Sequence, residues 1–230
     1  MDAKSSAILT LGGVAKLYGD RLVFRNLTLA VSPGRVLMVV GVNGAGKSTL
    51  LRVMAGLSRP SAGAVATRLA RREMAYLGHQ TFLYAEATAL ENLRFWTGLY
   101  GLRVSEAGLL EALANVGLAR FAEERAGHFS RGMAQRLNLA RVFCIAPKLL
   151  FLDEPDTGLD QASREALSCE IVRVRDEGRA VVWVTHHLER DLPRADEVLH
   201  LDRGRAAYHG PVAGFDMSAL TATEMAGRAC

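Results

Sequence analysis

Eight consecutive residues, Gly41-Val42-Asn43-Gly44-Ala45-Gly46-Lys47-Ser48, satisfy the pattern G-x-x-x-x-G-K-[ST] of a phosphate-binding loop. Each residue type has a task in that chemistry. The glycines let the backbone turn tightly, so that its N–H groups face inward around the β- and γ-phosphates of a nucleotide. Lys47 bridges phosphate oxygens, and Ser48 gives a hydroxyl to Mg²⁺. Further along, the apolar run Leu149-Leu150-Phe151-Leu152 ends in two carboxylates, Asp153 and Glu154. At the carboxyl end of a parallel strand, Asp153 could reach a Mg²⁺-bound water beside the phosphates. Glu154 could polarise the water that attacks the γ-phosphate.

These groups need elements to hold them, and the hydrophobic pattern supplies candidates. Residues 36–40 read as a buried strand feeding the loop, and 49–54 as the first turns of a helix whose positive end favours an anion. After residue 147 strands and helices alternate: strand 149–153, helix 161–177, strand 180–185 and a short helix near 188–193. Residues 197–201 and 206–208 then flank an Asp202-Arg203-Gly204 turn. Residues 7–31 read as strands at 8–11, 22–24 and 27–31 joined by hairpins, with turns at Tyr18-Gly19-Asp20 and Ser32-Pro33-Gly34. Between 88 and 146 apolar residues recur at three-and-four spacing, as in Leu109, Leu113 and Val116, which predicts helices. The fold class that follows is α/β, with a parallel-sheet core, an antiparallel β element and a helical insertion over about 88–146. Residues 215–230 are too irregular to assign.

Composition narrows the function classes. Half of the 230 residues are hydrophobic and 23% are charged, which suits a globular domain with a sizeable core. The net charge is only +4 and the basic residues are spread along the chain. Arg68, Arg71 and Arg72 come nearest to a patch and read as a solvated face, so no nucleic-acid partner is expected. Cys144, Cys169 and Cys230 lack metal-like spacing and leave an odd count, pointing to a reducing compartment. Cys144 and Cys169 are expected to be small core residues. No signal peptide is expected, and the apolar runs near 36–42, 149–152 and 180–184 are too short to cross a bilayer.

Between the loop and the acidic strand lies Phe129-Ser130-Arg131-Gly132-Met133-Ala134-Gln135-Arg136. It resembles the L-S-G-G-Q signature segment of the ATP-binding subunits of ABC transporters, and the order of all the motifs is similar to that family over residues 7–210. The resemblance implies a P-loop NTPase of ABC type, with an ATP-binding domain over 7–214 followed by a C-terminal tail, 215–230. It implies ATP and Mg²⁺ as ligands. Residues 41–49, Gly41 through Ser48 and Thr49, would bind the phosphates, and Tyr18 would stack on the adenine. Ser48, Gln80 and Asp153 would serve the metal. Glu154 and His186 would be catalytic, with His186 contacting the γ-phosphate and holding the attacking water. Ser130 and Gly132 would grip the γ-phosphate of ATP held by a second copy packed head to tail. Asp160 would link the two sites. Arg131 stands where the family has Gly, and Met133, where it has Gln, offers no comparable polar contact. His187 stands where Asp is common and is taken as incidental; His79, His128, His200 and His209 are taken as structural.

The family further implies a separate membrane-spanning subunit, docked through the helical insertion after Gln80, and a cytoplasmic location on the inner face of the cell membrane. Residues 76–80 and 88–95 resemble the haem-exporter branch that serves cytochrome c maturation. Ser130-Arg131-Gly132-Met133 is equally at home in ATPases of drug, lipid or polysaccharide exporters. A soluble ABC ATPase acting on ribosomes or DNA is a further alternative, although such chains carry paired cassettes or long coiled-coil arms.

Overall fold

A computed structural model describes residues 6–78 and 80–218. Three runs of five apolar-rich residues form strands with every residue buried: β3 (Val36–Val40), β6 (Leu149–Asp153) and β7 (Ala180–Val184). Strands buried on both faces need cover on both, and a parallel sheet clad with helices provides it. Here they form the centre of a six-stranded sheet that also contains β5 (Met74–Leu77), β8 (Glu197–Asp202) and β9 (Arg205–Pro211), in the order β5-β6-β7-β3-β8-β9. Every neighbouring pair is parallel except the β8–β9 hairpin.

The two faces are covered differently. One side carries Leu37, Val39, Phe151 and Val182, and packs on Leu50, Leu51 and Met54 of α1 (Lys47–Met54). The same core continues into a smaller antiparallel sheet, ordered β2-β1-β4, of β1 (Leu9–Tyr18), β2 (Arg21–Val31) and β4 (Ala62–Thr67). The other side carries Met38, Leu150, Leu152 and Trp183. It is covered by α4 (Arg131–Ile145) and α5 (Gln161–Asp176), through Leu139, Val142, Leu167 and Ile171. A third cluster joins α4 to α2 (Ala89–Leu99) and α3 (Glu106–Asn115) through Leu93, Leu113 and Leu137. Thr88 and Glu91 form a reciprocal capping box that starts α2. Asn92, wholly buried, fastens the preceding loop by bonding Tyr84, Ala87 and Thr88.

The expected α/β core, antiparallel β element and block of helices are all present. Several expectations needed correction. The first two strands run on to Tyr18 and from Arg21, where short pieces were expected; shifts in their register carry them past Gly13 and Asn26, both at positive φ. β4 and β5 were not anticipated. Cys169 is exposed on α5 and is not a core residue, whereas Cys144 is half-buried and packs against the helical cluster. Cys230, His79 and residues 219–230 of the expected tail lie outside the described residues.

Candidate active site

Strands β6, β7 and β3 are consecutive in the sheet, so their carboxyl ends lie side by side. β6 delivers Asp153 and Glu154, β7 delivers Thr185-His186-His187, and β3 delivers the glycine-rich loop. The loop is built around two glycines with no room for a side chain. At Gly41, φ is +148°, and an added Cβ would stand 2.4 Å from the Leu201 carbonyl oxygen. At Gly46, φ is +99°, and a Cβ would stand 2.7 Å from Val23 Cγ1. Gly46 is also the N-cap of α1 and has no side chain with which to cap it. The first-turn N–H groups of α1 have no carbonyl of their own helix to bond and are available to an anion.

Lys47, nearly buried, lays its ammonium over the loop mouth, donating to the carbonyls of Gly41 at 2.7 Å and Val42 at 3.1 Å. Ser48 Oγ donates to Asp153 Oδ1 at 2.8 Å, which ties the loop to the end of β6. Tyr18, Asn43, Gly44, Gly46, Lys47, Ser48, Thr49 and Glu154 line one cleft of about 390 Å³, joined by Arg21, Leu22 and Val23. Gly41, Val42 and Ala45 build the loop's back. Tyr18 is half-exposed at the rim, with Lys16 Nζ 4.7 Å from its ring centre, so one face of the ring is open to a stacking base.

Glu154 is the strained residue of the site. It adopts φ +53°, a conformation that costs a non-glycine residue about 1–3 kcal/mol. Its N–H donates to the Val184 carbonyl at 3.0 Å, so the turn is fixed by β7. Its carboxylate Oε1 lies 2.7 Å from His186 Nε2. A carboxylate held against an imidazole beside a phosphate cradle is an arrangement for receiving a proton from water.

A supporting network holds the two strand ends. Asp191, fully buried on α6 (Leu188–Asp191), accepts from Thr185 Oγ1 at 2.7 Å, Ser168 Oγ at 3.2 Å and Arg190 Nε at 2.6 Å. Asp156 pairs with both Arg190 and His187, at 3.3 Å each, so His187 is not incidental: it ties the β7 end to the segment after Glu154. Gln135 of α4 reaches the same segment, donating to the Pro155 carbonyl at 2.7 Å. Sequence reading missed Asp156, Arg190, Asp191 and Gln135, because each acts through a neighbour that only folding supplies.

The remaining expected residues are not in the cleft. Ser130 caps α4, accepting from the Met133 N–H at 3.2 Å, and Gly132 abuts the Gly158 carbonyl. Neither lines the cleft of its own chain. Met133 packs into the α2–α4 cluster, and Arg131 lies along the backbone of Gly158. Asp160 caps α5 through Ser163, a bond that holds its carboxyl below the usual range. Gln80 lines a second cavity of about 730 Å³ with Arg52, Tyr76, Trp96 and Arg141. Trp96 lies against the Arg141 guanidinium, 4.6 Å away, and burial lowers Arg141 to about 10.

The donor set suits Mg²⁺. Among the described residues no group of three His, Cys, Asp or Glu could hold a metal unaided. Ser48 and Asp153 together offer two hard oxygens beside a phosphate cradle, which is how Mg²⁺ is held when nucleotide and water complete its shell.

The chain is similar to several known proteins. A family model described as ABC transporter matches residues 24–157. The cytochrome c biogenesis ATP-binding export protein CcmA of Methylococcus capsulatus is 45% identical over 80% of this chain and 93% of its own. That of Paramagnetospirillum magneticum is 38% identical over 90% of this chain and its own full length. The Nod factor export ATP-binding protein I of Mesorhizobium japonicum is 33% identical over 94% of this chain and 67% of its own. Among solved structures, an ATP-binding subunit of an ABC transporter superposes with a TM-score of 0.83 at 28% identity, covering 94% of this chain and 98% of that one. A dimeric ATP-binding cassette, MJ0796, in a post-hydrolysis state with ADP and Pi gives 0.80 at 26% identity, covering 90% and 100%.

Proposed function

This chain is a member of the ABC transporter family, and on that premise we propose that it is the ATP-hydrolysing subunit of an exporter serving cytochrome c biogenesis, with haem as the cargo. The observation that carries the activity is the meeting of Lys47, Ser48, Asp153, Glu154 and His186 at three adjacent strand ends. The relative at 45% identity over most of both chains supports the cytochrome c branch. The alternative, an ATPase of another exporter, rests on the weaker likeness to the Nod factor relative.

The loop N–H groups, the α1 terminus and Lys47 hold the triphosphate and offset its charge. Mg²⁺, when bound through Ser48 and Asp153, supplies further neutralisation of the phosphate oxygens. Glu154 orients the attacking water and receives its proton, while His186 steadies the carboxylate and reaches toward the γ-phosphate. Charge stabilisation dominates the rate, since phosphoryl transfer leaves little covalent work for the protein.

Ser130 and Gly132 stand outside their own chain's cleft, which leaves them free to clamp a nucleotide held by a second copy. Two copies packed head to tail supply both halves twice. The solved relative MJ0796, dimeric with ADP and Pi, supports that assembly. In our reading ATP closes the dimer between the loop of one copy and Ser130–Gly132 of the other, and hydrolysis opens it. Among the described residues no helix is long and apolar enough to cross a membrane. The likeness to export ATP-binding proteins supports a separate membrane-spanning partner, with this chain peripheral on the cytoplasmic face. The cavity beside Gln80, between the core and α2, with Phe82, Phe95 and Leu99 exposed nearby, supports docking there.

Removing the gene and staining membranes for covalent haem tests the reading. Loss of haem-stained c-type cytochromes, restored by the wild-type chain and not by Lys47→Ala, is expected. Undiminished c-type cytochromes would exclude this branch.

A further inference from the structure

Asp153 is fully buried, and both of its oxygens are held. Ser48 donates to Oδ1, and the Tyr76 hydroxyl donates to Oδ2 at 2.7 Å. These two donors differ in what happens when a metal arrives. Ser48, read as a metal ligand, would turn its oxygen toward the cation and give up or redirect its hold on Oδ1. Tyr76, not among the residues read as metal ligands, would keep its bond to Oδ2. The guanidinium of Arg52 lies beside the same hydroxyl, and its own pKa is raised chiefly by Tyr76.

Tyr76 also belongs to the second cavity. Its ring shares that wall with Gly78, Gln80, Trp96 and Arg141, none of which lines the phosphate cleft. The backbone two residues on lies close against the ring: a Cβ on Gly78 would stand 2.7 Å from Tyr76 Cε1 and 3.1 Å from its oxygen. One side chain thus spans from the surface of the cavity to the carboxylate at the end of β6.

We propose that Tyr76 is a positioning residue that fixes Asp153 for the metal, and that its ring transmits displacements of the cavity wall to that carboxylate. This rests on the reading of Asp153 as the carboxylate that serves the metal. It adds a physical route by which a partner seated in the cavity beside Gln80 alters the phosphate site. The route needs no movement of β6, whose backbone is locked between β5 and β7; a shift of the ring alone re-aims Oδ2.

The test uses the full chain with Mn²⁺ as the probe and a non-hydrolysable ATP analogue. Free Mn²⁺ at half-saturation is read by electron paramagnetic resonance, and analogue affinity in EDTA is read separately. Tyr76→Phe keeps the ring and removes the bond to a charged acceptor, so half-saturation should move to about tenfold higher Mn²⁺. Affinity for the analogue in EDTA should stay near wild type, while the thermal midpoint falls by a few degrees for the one buried bond lost. Gly78→Ala forces the ring to retreat and should shift Mn²⁺ in the same direction by about threefold or more. In the Tyr76→Phe background the same change should add nothing, because the ring no longer holds the carboxylate. Unchanged Mn²⁺ binding in Tyr76→Phe, or an equal Gly78→Ala factor in both backgrounds, would overturn the proposal. Asp153→Asn separates the two readings. If it abolishes Mn²⁺ binding while Tyr76→Phe leaves it intact, only the role of Tyr76 fails; if it leaves Mn²⁺ binding intact, the metal assignment fails and the proposal with it.

Discussion

Gly41 and Gly44 sit three residues apart in one loop, yet the structure predicts unlike penalties for replacing them with alanine. At Gly44, φ is +81° and nothing lies within 4 Å of an added Cβ, so the cost is left-handed strain alone, about 1–2 kcal/mol. At Gly41, φ is +148° and the Cβ would stand 2.4 Å from the Leu201 carbonyl oxygen and 3.3 Å from Ala45 Cβ. That carbonyl belongs to β8, which is paired with β3 and cannot retreat without breaking the ladder. Strain of about 1–3 kcal/mol then adds to overpacking of about 1–3 kcal/mol. Gly41→Ala should therefore lose about 3 kcal/mol or more of the ~5–15 kcal/mol that holds a domain together. Urea unfolding followed by circular dichroism measures both variants, with the slope checked for constancy. A Gly44→Ala variant as unstable as Gly41→Ala, or a Gly41→Ala variant within about 1 kcal/mol of wild type, would refute the steric reasoning.

Three further outcomes are expected. Glu154→Gln preserves size but cannot take a proton from water; steady-state hydrolysis should fall by about 10²–10⁴-fold while ATP binding persists, and an ATP-bound dimer should accumulate on gel filtration. Asp191→Ala removes the buried carboxylate that holds Thr185, Ser168 and Arg190. Arg190 can partly rehydrate, so the loss should fall at the low end for a broken buried pair, about 3 kcal/mol by denaturant titration, with hydrolysis reduced as the His186 loop loosens. Burial holds the His200 imidazole below its ordinary pKa. As pH falls through about 6.5, the unfolded chain takes up a proton that the folded chain resists, so stability declines on acidification. Melting temperatures of His200→Leu should fall less between neutral and mildly acidic pH than those of wild type.

The parts of the fold legible in sequence were those whose signal is local and redundant. Fully buried strands such as Leu149–Asp153 announce themselves as apolar runs, and the helices after residue 88 as three-and-four spacing. β4 escaped because Ala62-Gly63-Ala64-Val65-Ala66-Thr67 lies on an edge and is mostly exposed, leaving no alternation to read. β5 is four residues long and takes its strand character from pairing with β6. Cys169 lies on a helix whose buried face is set by Leu167, Ile171 and Val174, which turns the thiol to solvent. At the candidate site, Lys47, Ser48, Asp153 and Glu154 were legible because their motifs are contiguous in the chain. Tyr76, Asp156 and Asp191 were not, since their partners lie 77, 34 and 23 residues away, at Asp153, Arg190 and Ser168. Met133 departs from the family pattern, and packing explains it: the side chain serves the helical cluster.

Mixing two inactive variants tests most directly whether nucleotide is held between copies. Lys47→Ala spoils the loop and keeps Ser130; Ser130→Arg spoils the signature segment and keeps the loop. If each site takes its halves from different chains, an equal mixture should recover about a quarter of the wild-type hydrolysis rate, since half the dimers are mixed and each has one intact site. A mixture as inactive as either variant alone, with mixed dimers demonstrated by tag exchange, would mean that the loop and Ser130 do not meet across the dimer.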